Sequence, residues 1–251
     1  MLLELDRRPV IAHRGGRARA PENTLEAMRL AIADGADGLE FDVRLSADGE
    51  VVVIHDPAVD RTTDGIGVVE RMTLAELTSL DAGFRFRAWR MDSVTPTKAR
   101  IPTLDEVLGS FPGIPLIIEI KAPPAASATR RVIEQHGAQS RCLVDSFSST
   151  ALNVFQDSRI ARGAGRSGVM RLLAKSCTGA PSPVPNEVSA LAIPRTYHGL
   201  PLPLRHLAAA MRSAGKPIHI WTVNLSALSA HALSVSFRCF AAHRGSPVRR
   251  P

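Results

Sequence analysis

Residues 37–57 read DGLEFDVRLSADGEVVVIHDP, a stretch in which two carboxylates and a histidine fall within one hairpin-like pattern. Leu39 to Leu45 and Glu50 to His55 are rich in Val, Ile, Leu and Phe, and Ser46-Ala47-Asp48-Gly49 between them is turn chemistry. With the turn centred on Ala47 and Asp48, His55 falls opposite Glu40, with Cβ atoms about 5 Å apart. Asp42, two residues along the same strand, shares that face. Two carboxylates on one face repel unless a cation lies between them, and oxygen-only donors call for a hard cation such as Mg²⁺ or Ca²⁺. An imidazole beside them supplies proton chemistry. Taken alone, Glu-x-Asp is better suited to a hairpin whose polar face merely meets water, so the rest of the chain has to decide.

Before the hairpin, the apolar run Pro9 to His13 ends on His13-Arg14-Gly15-Gly16, the pattern of a buried parallel strand with a functional loop at its carboxyl end. Asn23, with Glu26 three residues on, starts a helix in capping-box fashion, and Gly35 stops it. After the hairpin the periodicity breaks down from Asp56 to about Arg100, leaving a short helix at the Thr73–Glu76 capping box. Such a break in a compact domain predicts a lid or a small inserted subdomain. Thr103 then opens another helix, and Pro115 to Lys121 (PLIIEIK) reads as a fully buried strand carrying Glu119 and Lys121 on one face of its carboxyl end. Further strands are expected at 141–147, 160–163, 188–194 and 217–223, with helical patterns between them at 129–136, 150–156, 169–175 and 204–214. The alternation predicts an α/β fold, a TIM (β/α)8-type barrel with seven parallel strands found and a small insertion after the hairpin. The last strand is missing or replaced: residues 235–240 could fill the gap, but they carry no acid and no turn glycine before them.

At 251 residues with 45% hydrophobic content, the chain can bury a sizeable core. No apolar run is long enough to span a bilayer, and MLLELDRRPV lacks the marks of a signal peptide, so a cytoplasmic protein without a transmembrane segment is expected. Cys142, Cys177 and Cys239 are scattered and odd in number, which indicates neither a disulfide framework nor a zinc site. The net charge of +7 comes largely from an acid-free stretch after Glu187, and aromatic content is only 4%, which argues against nucleic-acid binding. Gly163 to Gly168 matches GxGxxG but follows a weak strand well inside the chain, and reads as a βα loop.

His13-Arg14-Gly15, Pro21-Glu22-Asn23-Thr24, Glu40-x-Asp42, His55-Asp56-Pro57, Glu119-Ile120-Lys121 and Trp221-Thr222-Val223-Asn224, in this order and spacing, resemble the glycerophosphodiester phosphodiesterase family over residues 9–228. The resemblance implies a TIM barrel at 1–228 with its insertion at about 56–100, and an atypical basic tail at 229–251. It implies metal ligands at Glu40, Asp42 and Glu119 for a divalent cation, Mg²⁺ or Ca²⁺, general acid and base at His13 and His55, and phosphate binding by Arg14 and Lys121. Trp221 suits the core as well as it suits packing against a glycerol moiety. The implied reaction is hydrolysis of a small-molecule glycerophosphodiester to glycerol 3-phosphate and an alcohol, in glycerol and lipid metabolism. Family members close on a Gly-x-Asp-Gly-Ile-x-Thr-Asp-Arg-Pro type segment, and nothing like it stands at 233–251. Two other readings therefore stand beside the leading one: an impaired relative that binds phosphodiesters or a partner, and a lysophospholipase D-like phosphodiesterase.

Overall fold

The computed structural model describes residues 1–17, 19–89, 98–177, 184–197, 199–221 and 238–239, with 87–89, 175–177 and 238–239 described by their backbone. Its elements run β1 (Ile11–Ala12), α1 (Leu25–Ala33), β2 (Gly38–Leu45), β3 (Val51–Val53), α2 (Leu74–Ser79), α3 (Phe84–Trp89), α4 (Leu104–Ser110), β4 (Leu116–Ile120) and α5 (Ala125–Gln135). They continue with β5 (Cys142–Asp145), α6 (Ser149–Asn153), β6 (Ala161–Arg162), α7 (Arg166–Cys177), β7 (Leu191–Pro194), β8 (Thr196–Tyr197), β9 (Leu200–Pro201), α8 (Leu204–Ser213), β10 (Ile218–Trp221) and β11 (Arg238–Cys239).

β1, β2, β4, β5 and β6 pair in that order, each parallel to the next, and β7 pairs parallel with β10. Hydrogen bonds from Ser189 N to Arg162 O and from Arg162 N to Ser189 Oγ join the two groups. These are seven strands of a TIM barrel, and each lies within or beside a stretch expected from the sequence. At the closing position β11 pairs with β10 antiparallel over two residues, against the parallel progression of the other barrel strands. The tail at 229–251 otherwise lies outside the described residues, as do Thr222, Val223 and Asn224.

Both faces of the barrel sheet are buried, so period-2 alternation sorts side chains between two cores rather than between core and water. Leu39, Phe41 and Val43, with Leu116, Ile118 and Ile120, pack outward against Met28, Leu104, Leu108, Ile133 and Leu152. Ile11, Ile117, Leu143 and Ala190 face inward around Leu2, with partly buried Trp221 against them. Glu119 lies two residues beyond Ile117, and Asp145 two beyond Leu143, so both stand on the inward face where their strands end. A cluster of Val52, Ile54, Val59, Val69, Leu77, Ala99 and Ile101 gives the insertion its own core against the hairpin's returning arm.

Two local expectations are corrected. Val43 faces Val53 and Leu45 faces Val51, a register one residue different from that expected, which sets Phe41 rather than Glu40 in line with His55; pairing ends at Val53. The cause is the loop, which takes up Glu50 as well: Ser46 N donates to Glu50 O, Glu50 N donates to Ser46 Oγ, and Gly49 sits at φ +87°. The N-cap of α1 is Thr24, whose side chain accepts from Ala27 N, and not Asn23. The capping boxes Thr73–Glu76 and Thr103–Glu106 are both formed.

Candidate active site

The carboxyl ends of β1, β2 and β4 place one residue set in one place. Glu40, Asp42 and Glu119 bring carboxylate oxygens within 4.8 Å of one another, and Glu40 and Asp42 are buried. Burial, followed by the charges of Asp42 and Glu119, pushes the Glu40 carboxyl well above the usual range; burial likewise raises Glu119, partly offset by Lys121. A site that raises its own carboxyl groups is one that a cation would relieve. The donor set is all oxygen, and Asp42 Oδ1, buried, has an ion pair with Lys121 Nζ at 3.4 Å but no hydrogen bond among the described residues. These three carboxylates therefore fit a hard divalent cation.

Two cations flank the cluster. Lys121 Nζ donates to Glu119 Oε1 at 2.8 Å, and Arg14 Nε lies 3.6 Å from Asp42 Oδ2. Arg14 is held in the left-handed region at φ +50°, and its N–H donates to Glu40 Oε2 at 2.8 Å. His13 Nε2 stands 3.9 Å from Glu40 Oε2, and its ring stacks on Trp221 at 6.2 Å between centroids. Burial, then the neighbouring Arg14 charge, pushes His13 down to about 3, so the imidazole is neutral at ordinary pH. His55 lies beyond the end of β3, and its Nδ1 is 2.5 Å from Asp56 Oδ1. All eight residues singled out from the sequence thus meet at one barrel mouth: His13, Arg14, Glu40, Asp42, His55, Glu119, Lys121 and Trp221. Trp221 packs on the barrel interior and lies against His13.

A model of the glycerophosphoryl diester phosphodiesterase family matches residues 13–242. The chain belongs to this family. A glycerophosphodiester phosphodiesterase of Caldanaerobacter subterraneus is 40% identical over 150 residues, which cover 57% of this chain and 59% of that one. The chain spans less than two thirds of the length of the first curated relatives it matches. Among solved structures, the glycerophosphodiester phosphodiesterase of Agrobacterium tumefaciens superposes with TM-score 0.66 at 31% identity, covering 86% of this chain and 87% of that one. An Oleispira antarctica phosphodiesterase in complex with the product sn-glycerol-3-phosphate gives TM-score 0.66 at 30% identity, covering 86% and 85%.

Within this family member the structure adds residues to which the sequence reading gave no role at the site. Asn23, at φ +60°, donates from Nδ2 to Asp42 Oδ2 at 2.9 Å and so orients a carboxylate of the cluster. Glu22 accepts from both Arg14 and Arg61, and Asp56 accepts from Arg61. Glu22, Asn23 and Asp56 sit inside quoted motifs, so a signal was present. Asp145, paired in register with Glu119, brings a further carboxyl to the rim, and burial, then the Glu119 charge, pushes it well above its ordinary value. Its only sequence signal is an acid at the end of the apolar run Arg141 to Phe147.

Proposed function

We propose that this protein hydrolyses glycerophosphodiesters to glycerol 3-phosphate and an alcohol. The observation that carries the reading is the coincidence, at one barrel mouth, of a three-carboxylate cluster, two flanking cations and two histidines. The product bound to the Oleispira antarctica relative supports the substrate class.

A phosphodiester is an anion with a poor leaving group, so its site must neutralise the equatorial oxygens, activate a nucleophile and protonate the departing alkoxide. Glu40, Asp42 and Glu119 would hold a divalent cation, Mg²⁺ or Ca²⁺, which supplies Lewis-acid polarisation of the phosphoryl oxygens. Arg14 and Lys121 bind phosphate oxygens from the two sides of the cluster. His13 and His55 form the acid–base pair: one takes the proton of the attacking hydroxyl and the other gives a proton to the leaving oxygen. The attacking hydroxyl is the substrate's own, vicinal to the phosphoester, and water then opens the cyclic phosphate. Trp221 packs beside the glycerol moiety and excludes water from His13.

The division into a barrel at 1–228 and a tail at 229–251, and a cytoplasmic location, belong to the same proposal; among the described residues no helix is long and apolar enough to cross a membrane. The test is ³¹P NMR of glycerophosphocholine incubated with the purified protein and a divalent cation. Glycerol 3-phosphate should accumulate, and an analogue lacking the vicinal hydroxyl should react at least a hundredfold more slowly. Comparable turnover of that analogue would remove substrate-assisted attack. Preferential turnover of lysophosphatidylcholine would select the lysophospholipase D-like alternative. Absence of turnover in a protein that melts cooperatively would select the binding-only one.

A further inference from the structure

Four side chains of alternating charge, Arg14, Glu22, Arg61 and Asp56, run across the site and end on His55. Arg14 Nη1 donates to Glu22 Oε1 at 2.9 Å. Arg61 Nη2 and Nη1 donate to Glu22 Oε1 and Oε2 at 2.6 and 3.2 Å. The third face of the same guanidinium, Nε, donates to Asp56 Oδ2, and Asp56 Oδ1 meets His55 Nδ1 at 2.5 Å. One planar group from the insertion therefore links, through two carboxylates, the arginine and the histidine to which the proposed chemistry gives phosphate binding and proton transfer.

The chemistry of the last link settles a proton. Burial raises the Asp56 carboxyl, but hydrogen bonds from Arg61 and His55 outweigh it and hold the group down at about 2, so Asp56 is an ionised acceptor at working pH. An imidazole nitrogen against a carboxylate at that distance must carry the hydrogen, which leaves Nε2 to exchange a proton elsewhere. The ring's other anchor is its backbone: Arg44 Nε donates to His55 O at 2.9 Å. Arg61 itself is preorganised. It sits on a turn closed by Thr62 N and Thr63 N to Val59 O and braced by Thr63 Oγ1, with Val59 wholly buried in the insertion core. The Arg61 side chain is 47% exposed, and pairs made by so exposed a group contribute little to stability. Its geometric effect on the two functional residues is the larger consequence.

We propose that Arg61 is a positioning residue: by bridging Glu22 and Asp56 it fixes the His55 ring with Nδ1 protonated and Nε2 presented to the site, and sets Arg14 through the same brace. This rests on the reading above that His55 transfers a proton. The experiment is a comparison of the wild-type chain with Arg61→Lys, Arg61→Met, Asp56→Asn and His55→Asn. Steady-state kinetics on glycerophosphocholine with the divalent cation are read beside ¹⁵N chemical shifts of the His55 ring and thermal melts.

The expected result is a kcat lower by about 10- to 100-fold in Arg61→Met and Asp56→Asn, with a melting temperature close to that of the wild type. The Nδ1–H form of His55 should give way to a mixture of tautomers in both. Arg61→Lys keeps the charge but not the fork, so it should not restore kcat. Full activity and an unchanged tautomer in Arg61→Met would overturn the proposal, as would full rescue by Lys or a kcat loss that tracks a lowered melt with the tautomer unmoved. An inactive wild type, or a fully active His55→Asn, would instead overturn the functional reading, while the ring shifts would still decide whether Arg61 holds His55.

Discussion

Gly163 shows how tightly single atoms define this site. A Cβ built there would lie 2.2 Å from Asp145 Oδ1, so the glycine is needed for space beneath a carboxyl group rather than for an unusual backbone. The neighbouring Gly165 is held in the same way by Ser149, with its Oγ 2.5 Å from a built Cβ. These contacts account for Gly163 and Gly165 of the GxGxxG stretch by packing at the start of a βα loop. Gly163→Ala should therefore cost about 1–3 kcal/mol of stability by overpacking. Coupling to Asp145→Ala in a double-mutant cycle checks the cause, because the second substitution should recover most of the loss. Additive losses would show that the two positions do not meet. Asn23 illustrates what a sequence conceals at this scale. Asn23 and Thr24 are both competent caps, one residue apart, and only the tertiary fold reveals that Thr24 caps α1 while Asn23 turns to Asp42.

At the scale of elements, the seven barrel strands were legible because each is a short apolar run ending in polar or turn residues. The hairpin's register was not. A one-residue change in what the loop consumes shifts every cross-strand partner, and turn chemistry at Ser46 to Gly49 does not say whether Glu50 belongs to the loop or the ladder. The placement of Glu40 and Asp42 survived this error because it depends on alternation within one strand, not on the partner. His219 on β10 is another element-level case: it is fully buried, and its Nε2 lies 3.0 Å from Leu2 O, fastening the N-terminal segment under the barrel. Burial pushes this histidine down to about 4 against 6.5 when free. The unfolded chain then takes up a proton that the folded chain refuses, so stability falls as pH drops from 6.5 to 4 and this contribution levels off below that, a change on the order of 3 kcal/mol. His219→Gln keeps a donor for Leu2 O but cannot titrate. Its melting temperature should be flatter than the wild type's across that window, and an identical slope in the two proteins would show that His219 does not contribute.

For the whole molecule, the acidic cluster makes stability, pH and cation binding one problem. Glu40 and Glu119 both have raised carboxyl groups in the fold. Their sign is opposite to that of a salt-bridged acid: their favourable contribution is present below about 4.5, the unfolded value, and is lost as pH rises through the folded value. A cation that binds only the folded state reverses this loss by mass action. Saturating Mg²⁺ or Ca²⁺ should therefore raise the melting temperature, more at pH 8 than at pH 5, and Glu40→Gln should abolish most of the gain. A gain independent of pH, or retained in Glu40→Gln, would place the cation elsewhere. What the sequence could not convey at this scale is closure, since the barrel's last position depends on residues that follow no strand pattern of the others, and β11 meets β10 in the antiparallel sense.

The central claim is that the carboxylate cluster on β2 and β4 works as one catalytic site with the histidines and cations around it. Release of glycerol 3-phosphate from glycerophosphocholine by wild type and Glu40→Ala, each with a divalent cation and with EDTA, tests it most directly. The account predicts cation-dependent release by the wild type, lost on chelation and reduced at least a thousandfold in Glu40→Ala, for removal of one of three ligands to an essential cation. Release that persists in EDTA, or in Glu40→Ala at the wild-type rate, would contradict it.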